Sequence, residues 1–259
     1  MTQSTSGYIS PDWPAPANVR AVTTTRLGGV SAPPFDSFNL ATHVSDDPSA
    51  VAANRAQLRQ QFQLPAEPCW LNQTHSTRVV VASAANSDCD ADGSVSRRPG
   101  EVCVVMTADC LPVLLCDKSG TVVAAAHAGW RGLASGVLRN AVAAMGMAPG
   151  QLMAWFGPAI GQGKFEVGDD VMAGFQANAL CAVHRAAIPA AFRAGVAQGK
   201  WLADLYQLAR LELTQLGVTD IYGGGECTAS DAARFFSYRR DGACGRMATL
   251  IWLAESAPL

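Results

Sequence analysis

Residues 102–130 read VCVVMTADCLPVLLCDKSGTVVAAAHAGW and carry the densest strand signal in the chain. Three apolar runs, 102–106, 112–116 and 121–126, are separated by turn chemistry, with Lys118-Ser119-Gly120 as a hairpin-type connection. Upstream, residues 19–25 predict a β-branched strand followed by the turn Leu27-Gly28-Gly29. Asp46-Asp47-Pro48 marks a helix start with proline at the first helical position, and Val51, Arg55, Leu58 and Phe62 follow at helical spacing up to Pro65. Residues 69–72 and 79–82 predict short strands. Downstream, residues 133–145 predict one helix capped by Gly146, residues 151–156 a strand, and 169–180 and 201–216 two amphipathic helices. Late strands are expected at Ile221-Tyr222 and at 249–253, and residues 186–199 read as an insertion or long loop. Strands outnumber helices and interleave with them irregularly. The expectation is therefore an α+β or α/β layered single domain with mixed β-sheets flanked by helices. No repeat, low-complexity tract or linker divides the chain. Residues 1–18 are expected to be a partly flexible tail and 19–259 a single catalytic domain.

The 259 residues suffice for a full hydrophobic core. With 15% charged and 49% hydrophobic residues, a disordered chain is excluded, and a net charge of −2 argues against a nucleic-acid partner. Residues 140–163 carry no charge, but Gly146, Pro149, Gly150, Gly157, Pro158 and Gly161 break them into short pieces, so no membrane span is expected. The N-terminal residues lack the pattern of a secretory signal. The eight cysteines lie mostly in or beside apolar runs and read as reduced, which places the protein in the cytoplasm.

Two of the four histidines, His75 and His127, sit at strand ends, and so does Cys110. Strand ends present side chains to clefts, and two imidazoles with one thiolate match a catalytic zinc site that keeps a position open. Spacing alone is weak support, because the chain has neither C-x-x-C nor H-x-x-x-H. Two hydrogen-bonded histidines and a core cysteine fit the same pattern. A second constellation is cationic. Arg26, Arg131 and Arg239 lie in or beside glycine-containing turns of a charge-poor chain, where guanidinium forks are candidates to clamp a phosphate or carboxylate. Surface ion pairing, such as Arg240 with Asp241, is the competing explanation. Gly157-Pro158-Ala159-Ile160-Gly161 and Gly223-Gly224-Gly225 are not nucleotide fingerprints and read as tight turns.

Seven motifs occur in order: Thr24-Thr25-Arg26-Leu27-Gly28-Gly29-Val30-Ser31, Gln73-Thr74-His75-Ser76, Thr107-Ala108-Asp109-Cys110-Leu111-Pro112-Val113, His127-Ala128-Gly129-Trp130-Arg131-Gly132, Gly157-Pro158-Ala159-Ile160-Gly161, Cys227-Thr228 and Ser237-Tyr238-Arg239-Arg240-Asp241. Together they resemble the YfiH family, also called the laccase-domain or polyphenol-oxidase family. The resemblance implies a cytoplasmic, zinc-binding purine nucleoside enzyme. Such an enzyme phosphorolyses adenosine, inosine and methylthioadenosine and deaminates adenosine. It implies His75, Cys110 and His127 as metal ligands and a layered α and β fold with a Cys–His arrangement similar to that of cysteine hydrolases. It also implies two alternatives, copper oxidation of phenols and removal of a misplaced serine from a UDP-muramoyl precursor.

The inventory of residues ranks these. A multicopper oxidase needs a blue-copper centre and a three-copper cluster, and four histidines in one chain do not supply both, so Cu2+ is disfavoured against Zn2+. The known zinc deaminases pair the metal with H-x-E and P-C-x-x-C, neither of which occurs here, so Asp109 beside Cys110 becomes the acid/base candidate, or else a group that orients a ligand. Phosphorolysis needs an anion site, for which Arg26, Arg131 and Arg239 are the candidates, with nucleoside and inorganic phosphate as small-molecule partners. In the hydrolase alternative Cys110 is the nucleophile and His127 its base.

Overall fold

The computed structural model describes residues 7–255. Its strands, in chain order, are β1 Tyr8–Ile9, β2 Val19–Thr24, β3 Val79–Val81, β4 Gly93–Ser96, β5 Val102–Thr107, β6 Leu111–Asp117, β7 Val123–Ala128, β8 Leu152–Phe156, β9 Glu166–Gly168, β10 Phe192–Ala194, β11 Lys200–Ala203, β12 Asp220–Gly223 and β13 Met247–Leu253. The helices are α1 Pro48–Phe62, α2 Trp130–Ser135, α3 Val137–Met145, α4 Asp169–Ala177, α5 Ala182–Ala187, α6 Leu205–Leu216 and α7 Tyr238–Asp241.

Two large sheets stack. One is antiparallel, in the order β1-β2-β13-β5, and the other is mixed, in the order β12-β8-β6-β7-β4-β3. In the second, the outer pairs β12–β8 and β4–β3 are parallel and the inner pairs antiparallel. Alternation along the strands sends side chains to opposite faces. Leu114 and Cys116 of β6 with Val123 and Ala125 of β7 face the first sheet, meeting Cys103, Val105 and Ile251. Leu111, Val113 and Leu115 with Ala124 and Ala126 face the other way, against Leu133, Leu138, Leu208 and Leu213 of the helices. The outer face of the antiparallel sheet, with Val22, Val104 and Leu250, packs on Leu58 of α1. The layers thus run helix, sheet, sheet, helices. β6 and β7 are covered on both faces, which explains their unbroken apolar sequence. This is the expected single α+β domain with mixed sheets flanked by helices.

The α1 helix starts where the sequence indicated: the Asp47 carboxylate accepts from the Ser49 amide at 2.8 Å and Pro48 follows. Other boundaries differ. The single helix expected over 133–145 is two, because Gly136 adopts φ 105° between α2 and α3. The helix expected from Trp201 begins only at Leu205. Residues 200–203 form β11, and the Asp204 carboxylate caps α6 by accepting from the Gln207 amide at 3.0 Å. The long loop expected over 186–199 holds part of α5, a 3-10 turn and β10, which joins β11 and β9 in a small third sheet. Residues 69–72 make only isolated bridges, Cys69 to Cys103 and Asn72 to Asp90, and strand β4 was not anticipated. Of the tail expected at 1–18, residues 1–6 lie outside the described residues, while Tyr8 and Ile9 pair with Thr24 and Thr23. No helix among the described residues is long and apolar enough to cross a membrane, and all eight cysteines are unbridged.

Candidate metal and active site

Antiparallel pairing of β6 with β7 puts the start of one beside the end of the other, with Pro112 opposite His127. Cys110 precedes β6 in the bend from β5, where Asp109 takes φ 94°. His75 comes from a loop, at φ 61°, that leans on β5. The Gln73 side-chain amide fixes that lean, donating to the Met106 carbonyl and accepting from the Met106 amide, both at 2.7 Å. Three segments distant in sequence thereby meet at one sheet end.

The ligand atoms of His75, Cys110 and His127 lie within 4.8 Å of one another, and Cys110 Sγ is 3.7 Å from His75 Nε2. A zinc ion with ligands at about 2.1 and 2.3 Å in tetrahedral geometry would separate N and S by roughly 3.6 Å, so the triangle has the size of a metal site. Among the described residues it is the one such cluster. Gly129 closes against it. A Cβ there would stand 2.7 Å from His75 Cδ2 and 3.0 Å from Cys110 Sγ, so the site is open only because residue 129 lacks a side chain.

Asp92, fully buried, holds two of the three corners. Its carboxylate is 2.7 Å from His127 Nδ1, which leaves Nε2 of that ring for the site. The same carboxylate accepts from the amides of Thr74 (3.2 Å), His75 (3.0 Å) and Ser76 (2.6 Å) and from the Ser76 hydroxyl (2.7 Å). Burial raises the Asp92 pKa, but the bonds from His127 and Ser76 outweigh it, so the group is held below the usual carboxylate range. Burial also pushes the Cys110 thiol up. The neighbouring His127, and then His75, reverse that and bring it down to about 6. For His127 burial acts downward, and Cys110 and Asp92 carry the pKa up to about 9. The two shifts, downward for the thiol and upward for the imidazole, both favour an imidazolium facing a thiolate when no metal is bound.

The triangle forms the floor of a cleft of about 380 Å³, within the range of roughly 300–1,000 Å³ usual for small-molecule sites. Met106, Ala108 and Tyr238 give it apolar surface, and His43, Arg131 and Arg246 give it positive charge or the capacity for it. Of the three arginines anticipated, only Arg131 lines this cleft. Arg26 bonds the Asp36 carbonyl at 2.9 Å and carboxylate at 3.0 Å and the Ala232 carbonyl at 3.2 Å, so it ties two loops together. The Arg239 guanidinium donates to the carbonyls of Lys164 and Glu166, at 3.3 and 3.1 Å. Asp109, the acid/base candidate, directs one oxygen to the Thr228 hydroxyl at 2.6 Å and the other to the Arg239 amide at 2.7 Å. Sequence reasoning passed over Arg246, although it follows Gly245 and so meets the rule applied to the other arginines. It also passed over Asp92, which no motif singles out.

Fold and site define a class: a layered α+β domain whose His–Cys–His triangle lies at the floor of a cationic cleft. Residues 20–254 match the family model described as multi-copper polyphenol oxidoreductase laccase, and the chain belongs to that family. It is 51% identical over 250 residues to a purine nucleoside phosphorylase of Pseudomonas aeruginosa, covering 96% of this chain and all of that one. It is 49% identical to the purine nucleoside phosphorylase YfiH of Escherichia coli, covering 96% and 99%. Among solved structures it resembles the Neisseria meningitidis protein NMB0706, with TM-score 0.90, 54% identity and coverage of 96% and 100%. YlmD of Geobacillus stearothermophilus aligns with TM-score 0.89 at 29% identity, covering 98% of each chain. The family's copper description does not fit a full multicopper set here. Beyond the triangle and His43 there remains only His184, whose Nδ1 accepts from the Leu180 amide.

Proposed function

We propose that this chain is a cytoplasmic, zinc-dependent purine nucleoside phosphorylase that also deaminates adenosine. The observation that carries this reading is the His75–Cys110–His127 triangle at the floor of a nucleoside-sized, carboxylate-free cleft. The names of close relatives support it. Two imidazoles and a thiolate suit zinc and leave a coordination position for substrate. When bound, zinc supplies Lewis-acid polarisation at the cleft floor. The chain's own groups do the rest. Asp92 sets the His127 tautomer and anchors the amide of His75. Met106, Ala108 and Tyr238 offer surfaces to a purine ring. Arg131 holds inorganic phosphate, whose oxygen attacks ribose C1′ as the glycosidic C–N bond breaks, and the base leaves with its electron pair and takes up the proton that hydrogen phosphate gives up. Asp109 acts as a positioning residue, tying the Cys110 bend to Thr228 and Arg239.

Zinc-loaded protein given adenosine is expected to release adenine and ribose 1-phosphate only when inorganic phosphate is present, and inosine with or without it. Protein that carries stoichiometric zinc and forms no adenine with phosphate overturns the phosphorylase reading.

A second reading rests on one specific observation. Cys110, His127 and Asp92 stand in the nucleophile, base and orienting order of a cysteine hydrolase, with the thiol already lowered. Its substrate would be a serine-containing UDP-muramoyl precursor. Fast iodoacetamide labelling of Cys110 in zinc-loaded protein, blocked by that precursor, would favour it. Labelling that appears only after chelation favours the zinc enzyme.

A further inference from the structure

The cleft that holds the metal triangle is lined by two guanidiniums with no acidic partner. The Arg131 side chain has no hydrogen bond or ion pair among the described residues, and its guanidinium lies over the Trp130 ring, 4.5 Å from the centroid. Arg246 is tethered along one side only. Its Nη1 donates to the carbonyls of Cys244 (2.8 Å) and Gly245 (3.0 Å), and its amide donates to Asn39 Oδ1 at 2.9 Å. Nε and Nη2 make no bond among the described residues. Five other arginines (Arg26, Arg59, Arg139, Arg234 and Arg240) have carboxylate partners. No Asp or Glu lines the cleft. His43, which lines the same cleft, has its pKa lowered by burial and then by the charges of Arg246 and Arg55, so it sits in a positive field.

We infer that Arg246 and Arg131 form the subsite for the inorganic phosphate of the proposed phosphorolysis, with Arg246 as the fixed jaw. This rests on the phosphorylase reading. Arg246 is pre-organised by its carbonyl tethers, and a guanidinium fork suits two phosphate oxygens. Arg131 is exposed and free to close on the anion. Held there, phosphate takes the arginine-lined part of the cleft, which leaves the nucleoside the triangle and the apolar side.

The test is steady-state kinetics of zinc-loaded R131A, R246A and R246K with adenosine, varying phosphate, together with calorimetric titration of inorganic phosphate alone. Each alanine variant is expected to raise the phosphate KM about ten- to hundred-fold, with a far smaller change in the adenosine KM, and R246K to fall between. Loss of the Arg246 tethers can unsettle the fold. R131A carries less of that risk, because the Arg131 side chain makes no hydrogen bond among the described residues and loses only its place over the Trp130 ring. If the parent phosphorolyses adenosine and R131A and R246A keep its phosphate KM, the subsite is wrong and the phosphorylase reading stands. If the parent shows no phosphorolysis, that reading fails, and phosphate binding equal in parent and variants overturns the subsite as well. Adenosine 5′-monophosphate is the remaining arm. It is expected to compete with phosphate. Its turnover without added phosphate, abolished in R246A, would assign the pair to a substrate-borne phosphoryl group and overturn the inference.

Discussion

His127 and His75 contribute the same imidazole to one triangle, yet they stand on walls of opposite character. His127 is the penultimate residue of β7, is 4% exposed, and has its ring locked to Asp92. His75 is exposed on a loop in left-handed conformation and is anchored to Asp92 by its backbone amide, not its ring. One carboxylate serves both walls: Asp92 grips the ring on the strand side and three consecutive amides on the loop side. The strand wall therefore sets where the site is, and the loop wall sets whether it closes. The edge-to-face arrangement of the two rings, with centroids 4.9 Å apart, depends on that shared anchor.

The largest effect should follow from cutting the anchor. Asp92→Ala removes the acceptor of all those bonds at once, and breaking a buried, hydrogen-bonded ion pair costs about 3–5 kcal/mol. Zinc affinity should fall roughly ten- to hundred-fold as well. His127→Ala should approach the same stability loss, because it leaves Asp92 buried without its ring partner. His75→Ala should lose the metal while the zinc-free protein stays within about 0.5 kcal/mol of the parent. Urea unfolding of metal-free proteins and zinc competition titrations measure both. Equal stability losses for the two histidines would erase the distinction between the walls.

What the sequence made legible follows the same division. β6 and β7 were readable because burial on both faces leaves unbroken apolar runs, and Cys110 and His127 stood out as ligand candidates because they lie at the ends of such runs, whereas His75 follows residues 69–72, which read as a strand but make only isolated bridges. Asp92 was not, since nothing in Asp90-Ala91-Asp92-Gly93 says that one of these acids reaches amides and a ring from two other segments. The cationic wall was half legible. Glycine-rich context marks where an arginine can approach backbone, and in Arg26 and Arg239 it marked loop ties instead of a ligand clamp. Residues 201–203 were misassigned because Trp201, Leu205 and Leu208 mimic helical spacing. The better signal was Asp204, whose carboxylate caps the true start of α6. The break at Gly136 was hidden because α2 and α3 bury the same side of the chain, continuing one apolar pattern across the turn.

A narrower break in the comparison is Gly129→Ala. Gly129 has φ −60° and ψ 153°, which alanine adopts without strain, so the cost comes from the new methyl alone. That methyl would press on His75 Cδ2 and Cys110 Sγ. The loop wall is the one that can yield, so His75 should swing out while fold stability hardly changes. Zinc affinity is expected to drop at least about tenfold, the scale of a disturbed ligand shell. Undiminished zinc binding would mean that the strand side gives way instead.

The smallest effect is a predicted absence of pH dependence in the metal-free protein. Taken alone, the Cys110 thiolate contributes stability that is complete above the unfolded thiol pKa, about 8.5, and is lost as pH falls through about 6. Taken alone, the His127 imidazolium contributes stability that is complete below its unfolded value, about 6.5, and is lost as pH rises through about 9. Between about pH 6.5 and 8.5, however, the folded and unfolded pairs bind the same number of protons, on the imidazole when folded and on the sulfur when unfolded. Linkage then makes the slope of stability with pH zero for this pair. His43 and His184 have lowered pKa values, so they weaken the fold only as pH falls through about 6.5 and below, outside that window. Urea midpoints should accordingly stay nearly level across it, while ultraviolet thiolate absorbance from Cys110 is already about three-quarters developed at its lower edge and complete by its middle. A level midpoint with thiolate absorbance rising only near pH 8.5 would show a neutral thiol beside a neutral ring. The strand wall would then hold no charge-separated pair, and His127 would differ from His75 only in its burial and its ring bond to Asp92.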